Sequence, residues 1–302
     1  MFGDSLSDDG RGANPIVRDA INTAQVDVGF FPSAPYLLGR FSNGPVWIET
    51  VATLTGNALE NLATGNSPSG ATTGAFQILP PFGYLAQTAI VPVPSSVQQA
   101  QSYVATHGGS VNPAFTYIVL IGSNDYVYTV NNVSVTTPAA VVQFIGITLD
   151  TLYQAGARKF VVLNQPPLGD FPLFKPPFVP AAASPGVQAQ FTALVNQHNA
   201  LLPGLISSFP ASHTGATVAF YDLHDFYERV FATPAAFGIS NIVNVCYQGP
   251  GFFQDFTGFF ANPLCSNPGP EGYAFFDGVH PTKQFHAQLA ADFVAQLRSQ
   301  LS

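Results

Sequence analysis

Three short, unbroken apolar runs punctuate the middle of the chain: "TYIVLIG" at 116–122, "KFVVLNQ" at 159–165 and "TVAFYD" at 217–222. Each is rich in β-branched and aromatic residues and shows no alternation. That pattern predicts parallel strands buried on both faces. Between and around them the apolar residues recur at helical spacing. The stretch 137–157 opens on Thr137 as an N-cap with Pro138 at the first helical position, and it ends near Gly156. The stretch 184–209 repeats the pattern, with Pro203 expected to kink or end it. In 281–301, Phe285, Leu289, Phe293 and Leu297 fall four apart and mark one apolar face. Shorter helices are predicted over 46–56 and 94–108.

Strands alternating with helices predict an α/β layered domain with a mainly parallel sheet. No internal repeat interrupts it. The proline-rich run 166–185 is too apolar for a free tether and reads as a long loop packed over one end of the sheet. The expected organisation is one domain over 1–302. In such sheets ligands bind beyond the carboxyl ends of the strands, so chemistry is expected in the loops there.

Composition narrows the function classes. Hydrophobic residues make up 47% and charged residues only 9%, against ~25% charged in an average soluble protein. This balance favours a secreted protein. The net charge is −8, and the nine lysines and arginines are scattered. Nucleic acid or anionic membrane partners need clustered basic residues and are not expected. No run reaches the ~18 apolar residues of a membrane span, and no signal peptide opens the chain. The expectation is secretion, with the leader removed or encoded upstream. Asn132 begins one glycosylation sequon. The loop between the two cysteines, Cys246 and Cys265, is rich in Gly, Pro, Asn and Phe and favours one disulfide over two buried thiols. A disulfide would close a loop of about 20 residues and contribute ~3 kcal/mol.

Candidate chemistry begins at "FGDSLSD", which holds Ser5. A serine hydroxyl is a weak nucleophile until a base takes its proton. Of the six histidines, His280 stands apart, because Asp277 precedes it by three residues in "FFDGVHPT". A carboxylate so placed can reach the ring nitrogen that faces away from the serine. His198 and His286 fall within helices and read as packed or solvated side chains. Asn124, in "IGSNDY", directly follows a buried strand, where its amide can donate to an oxyanion. The same residues also suit a simple turn. Asp4, Asp8 and Asp9 read as acceptors that shape the turn around Ser5. No cluster has metal-ligand spacing, so neither metal nor cofactor is expected.

Taken in order, "FGDSLSD", "GSND" and "DGVHPT" resemble the GDSL family of esterases and lipases, also called SGNH hydrolases. That family's pattern runs Ser, Gly, Asn, His. Its glycine follows an Asn-aromatic-Ala motif, and "NLATG" at 61–65 offers Gly65, with Leu62 for the aromatic residue and Gly70 nearby. Blocks at 39–49, 164–172, 220–241 and 265–282 extend the resemblance over nearly the whole chain. It resembles the longer plant, fungal and bacterial members.

The resemblance implies a three-layer α/β/α sandwich of flavodoxin-like type. It implies ester hydrolysis through an acyl-enzyme on a small-molecule substrate. Ser5 would be the nucleophile, His280 the base and Asp277 its orienting partner. The oxyanion would be held by the backbone N–H of Ser5, the backbone N–H of Gly65 and the side chain of Asn124. Phe171, Phe174 and Phe178, with Phe252, Phe253, Phe256, Phe259 and Phe260, either line an acyl groove or serve as packing. Trp47 is the one tryptophan available to stack on a sugar. The leading expectation is an acyl ester or lipid substrate. The alternatives are a carbohydrate acetyl esterase and a non-catalytic lipid- or glycan-binding member. The family usually carries several apolar residues ahead of the serine block. Here only Met1 and Phe2 precede it, so the first strand is expected to be truncated, with unpaired neighbours and a cavity beside it.

Overall fold

The computed structural model describes residues 1–10, 32, 36–70, 74–78, 89–131, 135–247 and 272–301. Its elements in chain order are β1 (Phe2–Gly3), α1 (Trp47–Thr55), β2 (Gly74–Ile78), β3 (Ala89–Val93), α2 (Ser96–Thr106), β4 (Thr116–Leu120), α3 (Ser123–Val130), α4 (Pro138–Gln154), β5 (Lys159–Leu163), α5 (Ser184–Ser212), β6 (Thr217–Tyr221), α6 (Leu223–Ala232), β7 (Asn241–Val245), β8 (Tyr273–Phe275) and α7 (Lys283–Leu301). The main sheet has the order β1-β4-β5-β6, with every pair parallel. Helix α1 packs on α7, while α2 packs on α4 and α4 on α5. The sheet lies between these helical layers, so the fold is the expected α/β/α sandwich. The pairs β2–β3 and β7–β8 stand outside it.

The apolar runs at 116–122 and 159–165 do form buried strands: Val119 of β4 and Val161, Val162 and Leu163 of β5 are inaccessible to solvent. The third run departs from expectation. Among the described residues β6 pairs only with β5 and forms the sheet's edge, and Phe220 is 37% exposed. Thr137 caps α4 by accepting from Ala140 N–H at 3.2 Å. Ser95 caps α2 in the same way, and Gln98 reaches back to the Ser95 N–H at 2.9 Å. Of the two outcomes expected at Pro203, an end to the helix does not occur: α5 runs on to Ser212 with Pro203 and Pro210 inside it. A proline costs the helix one N–H and crowds the carbonyl four residues before it, so the continuation rests on packing. The buried face of α5 continues on both sides of Pro203, through Val195 and Leu202 to Phe209.

β1 is short. Phe2 and Gly3 register with Val119 and Leu120. Beside it lies a cavity of about 260 Å³, bordered by Phe2, Tyr117, Ile118 and Leu301. Other groups hold β1 in place. Gly3 gives its N–H to Gln99 Oε1 at 2.9 Å, and its carbonyl accepts from Gln99 Nε2 at 2.8 Å and from Thr64 N–H at 3.1 Å. Leu62 N–H donates to the Met1 carbonyl at 2.9 Å. A side chain at Gly3 would come within 2.6 Å of the Leu120 carbonyl, so the close approach of β1 to β4 requires glycine.

Of the two readings for His198 and His286, packed or solvated, both side chains take the first and are buried. His198 Nδ1 shares a hydrogen bond of 2.7 Å with the Tyr126 hydroxyl, whereas neither ring nitrogen of His286 has a partner among the described residues. Burial lowers both to a pKa of about 3. The unfolded chain, with histidine near ~6.5, therefore binds more protons between these values, and stability is lost as pH falls below about 6.5. We expect wild type to lose stability relative to His286→Leu by on the order of 1 kcal/mol per pH unit from about pH 6 to pH 4. Urea midpoints measured at several pH values check this. Parallel pH curves for the two proteins would refute it.

Candidate active site

The carboxyl ends of β1 and β4 and the loop before α7 converge. Directly after β1 the chain turns, with Ser7 N–H donating to the Asp4 carbonyl at 3.0 Å and Leu6 N–H to Asp4 Oδ1 at 3.0 Å. Asp8 extends the turn by accepting from Gly10 N–H at 2.8 Å. These contacts fit the turn-shaping role read for the acidic cluster. Ser5 stands on this turn, and its Oγ lies 2.8 Å from His280 Nε2. The other ring nitrogen, Nδ1, lies 2.7 Å from Asp277 Oδ2. Asp277 Oδ1 accepts from the N–H groups of Val279 at 2.9 Å and His280 at 2.7 Å. The Asp-x-x-His spacing folds into a tight turn that delivers both residues to one place, with both buried.

Asn124 borders the same pocket as Ser5 and His280. Its position follows from Gly122, which ends the strand segment with φ of 129° and caps α3; a side chain there would press within 2.9 Å of Val141. Asn124 Nδ2 donates to the Ser67 carbonyl at 3.0 Å, which ties α3 to the loop around residues 64–70. Asp125 strengthens the tie by accepting from Ser69 N–H at 2.8 Å and Ser69 Oγ at 2.9 Å.

Gly65 lies on the loop beside the pocket. Its N–H donates to Asp8 Oδ2 at 2.8 Å, and Phe41 fills the space where its side chain would be. Gly70 lies against Phe144. The residue of this loop that borders the pocket is Asn66, held at φ of 66°. Asparagine tolerates this left-handed conformation better than most residues.

Burial raises the acids around Ser5. Asp4 and Asp8 are pushed up to about 7 and Asp125 to about 6, each chiefly by loss of solvent. Asp4 Oδ2 has no hydrogen-bond partner among the described residues. The rest of the pocket wall is mostly apolar: Leu6, Phe41, Val127, Leu168, Leu173 and Val279, with Phe171 and Phe174. Of the three phenylalanines in the proline-rich run, Phe178 packs against the core, and Phe171 and Phe174 both pack and border the pocket. Phe171 stacks on Tyr227 at 5.4 Å and Phe174 on Phe191 at 3.9 Å, while both also border the pocket. Trp47 is fully buried and donates to Ser7 Oγ at 3.0 Å, so it is not placed to stack on a sugar.

Sequence reasoning missed three residues that complete the surroundings. Tyr36 donates to Asp277 Oδ2 at 2.7 Å. Phe41 packs at 4.9 Å from the His280 ring. Gln99 joins Gly3 to Ser67 Oγ, at 3.1 Å from the latter. No local signal marks any of them. Cys265, Asn132 and the phenylalanines of 252–260 lie outside the described residues, while Cys246 is buried just after β7. Among the described residues no group of three or more His, Cys, Asp or Glu could hold a metal ion, and no helix is long and apolar enough to cross a membrane.

The family model for GDSL-like lipase/acylhydrolase matches residues 1–293. The chain belongs to the GDSL lipase/acylhydrolase family. Among curated relatives of this GDSL chain, a phosphatidylcholine-sterol acyltransferase of Aeromonas hydrophila is 27% identical, over 99% of this chain and 90% of the relative. GDSL esterase/lipase 6 of Arabidopsis thaliana is 24% identical over 93% of this chain and 82% of the relative. A thermolabile hemolysin of Vibrio parahaemolyticus is 26% identical over 96% of this chain and 61% of the relative. The GDSL chain is accordingly a carboxylic ester hydrolase.

Proposed function

We propose that this hydrolase cleaves acyl esters through a Ser5–His280–Asp277 triad. The observation that carries the reading is the pair of short contacts on His280, 2.8 Å to Ser5 Oγ and 2.7 Å to Asp277 Oδ2. His280 Nε2 takes the Ser5 proton as Oγ attacks the ester carbonyl. The imidazolium then passes that proton to the leaving alcohol, and an acyl-Ser5 remains. Water, deprotonated by the same nitrogen, releases the acid and restores the serine.

The tetrahedral oxyanion is met by the Ser5 backbone N–H and the Asn124 amide, whose second N–H is not needed for Ser67. The loop's own donor, in this reading, is the backbone of Asn66. Gly65 seats the loop through Asp8 instead. Donors fixed before reaction stabilise the developing charge without reorganisation.

The apolar wall around Ser5 favours an acyl chain over a sugar, and the burial of Trp47 weighs against carbohydrate acetyl esters. The Aeromonas relative is named for acyl transfer to a sterol. The same acyl-enzyme would serve an alcohol or water as acceptor.

A fluorophosphonate probe and two p-nitrophenyl esters test the reading. The expected result is a single probe adduct on Ser5 and a kcat/KM higher for octanoate than for acetate. A folded sample that neither reacts with the probe nor turns over would favour a binding protein. Acetate preferred over octanoate would return the substrate to acetyl esters.

A further inference from the structure

Asp277 is shared between two side chains. Its Oδ2 accepts from His280 Nδ1 at 2.7 Å and from the Tyr36 hydroxyl at 2.7 Å. The second contact belongs to a loop that reaches the triad from 241 residues away in sequence. Tyr36 is buried and boxed in by aromatic rings. Phe276 meets it at 4.9 Å, Tyr247 at 5.7 Å and Phe41 at 6.2 Å, all edge-on. The same loop brings Phe41 against the His280 ring.

The loop is itself pinned at several points. Leu37 N–H donates to the Ser42 carbonyl at 2.9 Å, and Ser42 Oγ to the Pro281 carbonyl at 2.9 Å. Arg40 grips Glu49 of α1 with two bonds of 2.8 and 2.6 Å. A phenol fixed this firmly is more than a packing ring. Tyrosine hydroxyls that are buried find partners, and here the partner is the oxygen that orients the base.

We propose that Tyr36 is a positioning residue that sets the basicity and orientation of His280 through Asp277. The inference rests on the triad reading above. A donor on Oδ2 draws off part of the carboxylate's charge, and less of it then stabilises the imidazolium. It also fixes the carboxylate plane, which fixes the imidazole. Tyr36 thus trades some base strength for alignment. Among the described residues the other titratable groups that act on His280, or are acted on by it, are Asp4 from the turn after β1 and His286 from α7. Tyr247, just beyond β7, faces Tyr36 rather than the imidazole. None of these is altered by a change at Tyr36, so a comparison of variants isolates the hydroxyl.

The test is Tyr36→Phe, which keeps the ring and its packing and removes only the hydroxyl. We expect the acid limb of kcat/KM for p-nitrophenyl acetate to move up by about 0.5–1 pH unit. We expect kcat to fall roughly ten-fold and KM to stay within about two-fold. A ring-fluorinated tyrosine in place of Tyr36 is a stronger donor of the same shape, and it should move the acid limb the opposite way. A residue that serves packing alone would leave the limb where it is in both variants, and that result overturns the proposal. Ser5→Ala, run alongside, separates the two levels of inference. If Ser5→Ala is inactive while neither Tyr36 variant moves the limb, Tyr36 has no such role and the triad stands. If Ser5→Ala keeps wild-type activity, the triad reading and the Tyr36 proposal fall together.

Discussion

Ser5→Ala is expected to lower kcat on p-nitrophenyl esters by ~10⁴-fold or more while leaving the fold unchanged. The hydroxyl's one described bond is to His280, so its loss removes the nucleophile and little else. The turn that carries it is held by backbone and aspartate contacts at Asp4 and Asp8, which alanine does not touch. The thermal midpoint should therefore stay within the range of an ordinary surface substitution, ~0.5 kcal/mol in stability. The effect should not add to that of His280→Ala, because base and nucleophile act as one unit and either loss alone disables it. Residual turnover would come from the oxyanion donors and binding. A Ser5→Ala protein within ten-fold of wild type would place the nucleophile elsewhere.

The legible parts of this molecule were those that short-range pattern controls. β4 and β5 are central and covered on both faces, and their unbroken apolar runs say so. β6 has a similar run but lies at the edge, and nothing in "TVAFYD" distinguishes the two positions. The extension of α5 through Pro203 depends on partners packed along its length, which a rule about one missing N–H does not weigh. The pairing of β7 with β8 joins segments about thirty residues apart through short, irregular strands, too weak a signal to read.

At the site, Asp277 and His280 were readable because they are three residues apart and meet in one turn. Ser5 came to them only through the family's order of blocks. Gly65 marks the limit of that route. A motif identifies the loop but not where each N–H points, and a carboxylate 57 residues away, on Asp8, takes this one. Tyr36 lay beyond reach for a related reason. Its importance is created wholly by the fold.

Asp277→Asn is the second large effect, an expected loss of ~10⁴ in kcat with the pocket's shape retained. The carboxylate faces four donors: the N–H groups of Val279 and His280 on Oδ1, and Tyr36 Oη–H and the imidazole Nδ1 on Oδ2. An amide has one acceptor oxygen and one donor nitrogen. If its oxygen keeps the two backbone N–H groups, its NH₂ faces Nδ1 and Tyr36. The imidazole must then carry its proton on Nε2, pointing at Ser5 Oγ, and can no longer accept the serine proton. If the amide flips, its NH₂ opposes two backbone N–H groups in a buried turn. Unmade bonds of that kind cost ~1–3 kcal/mol each, so the first orientation is favoured and the wrong tautomer dominates. Stability should fall far less than activity, which separates this substitution from simple unfolding. The pair of measurements, kcat and the urea midpoint, checks it. Activity within ten-fold of wild type in a folded Asp277→Asn protein would mean that His280 does not depend on Asp277 for its tautomer, and the four-donor geometry would then be structural only.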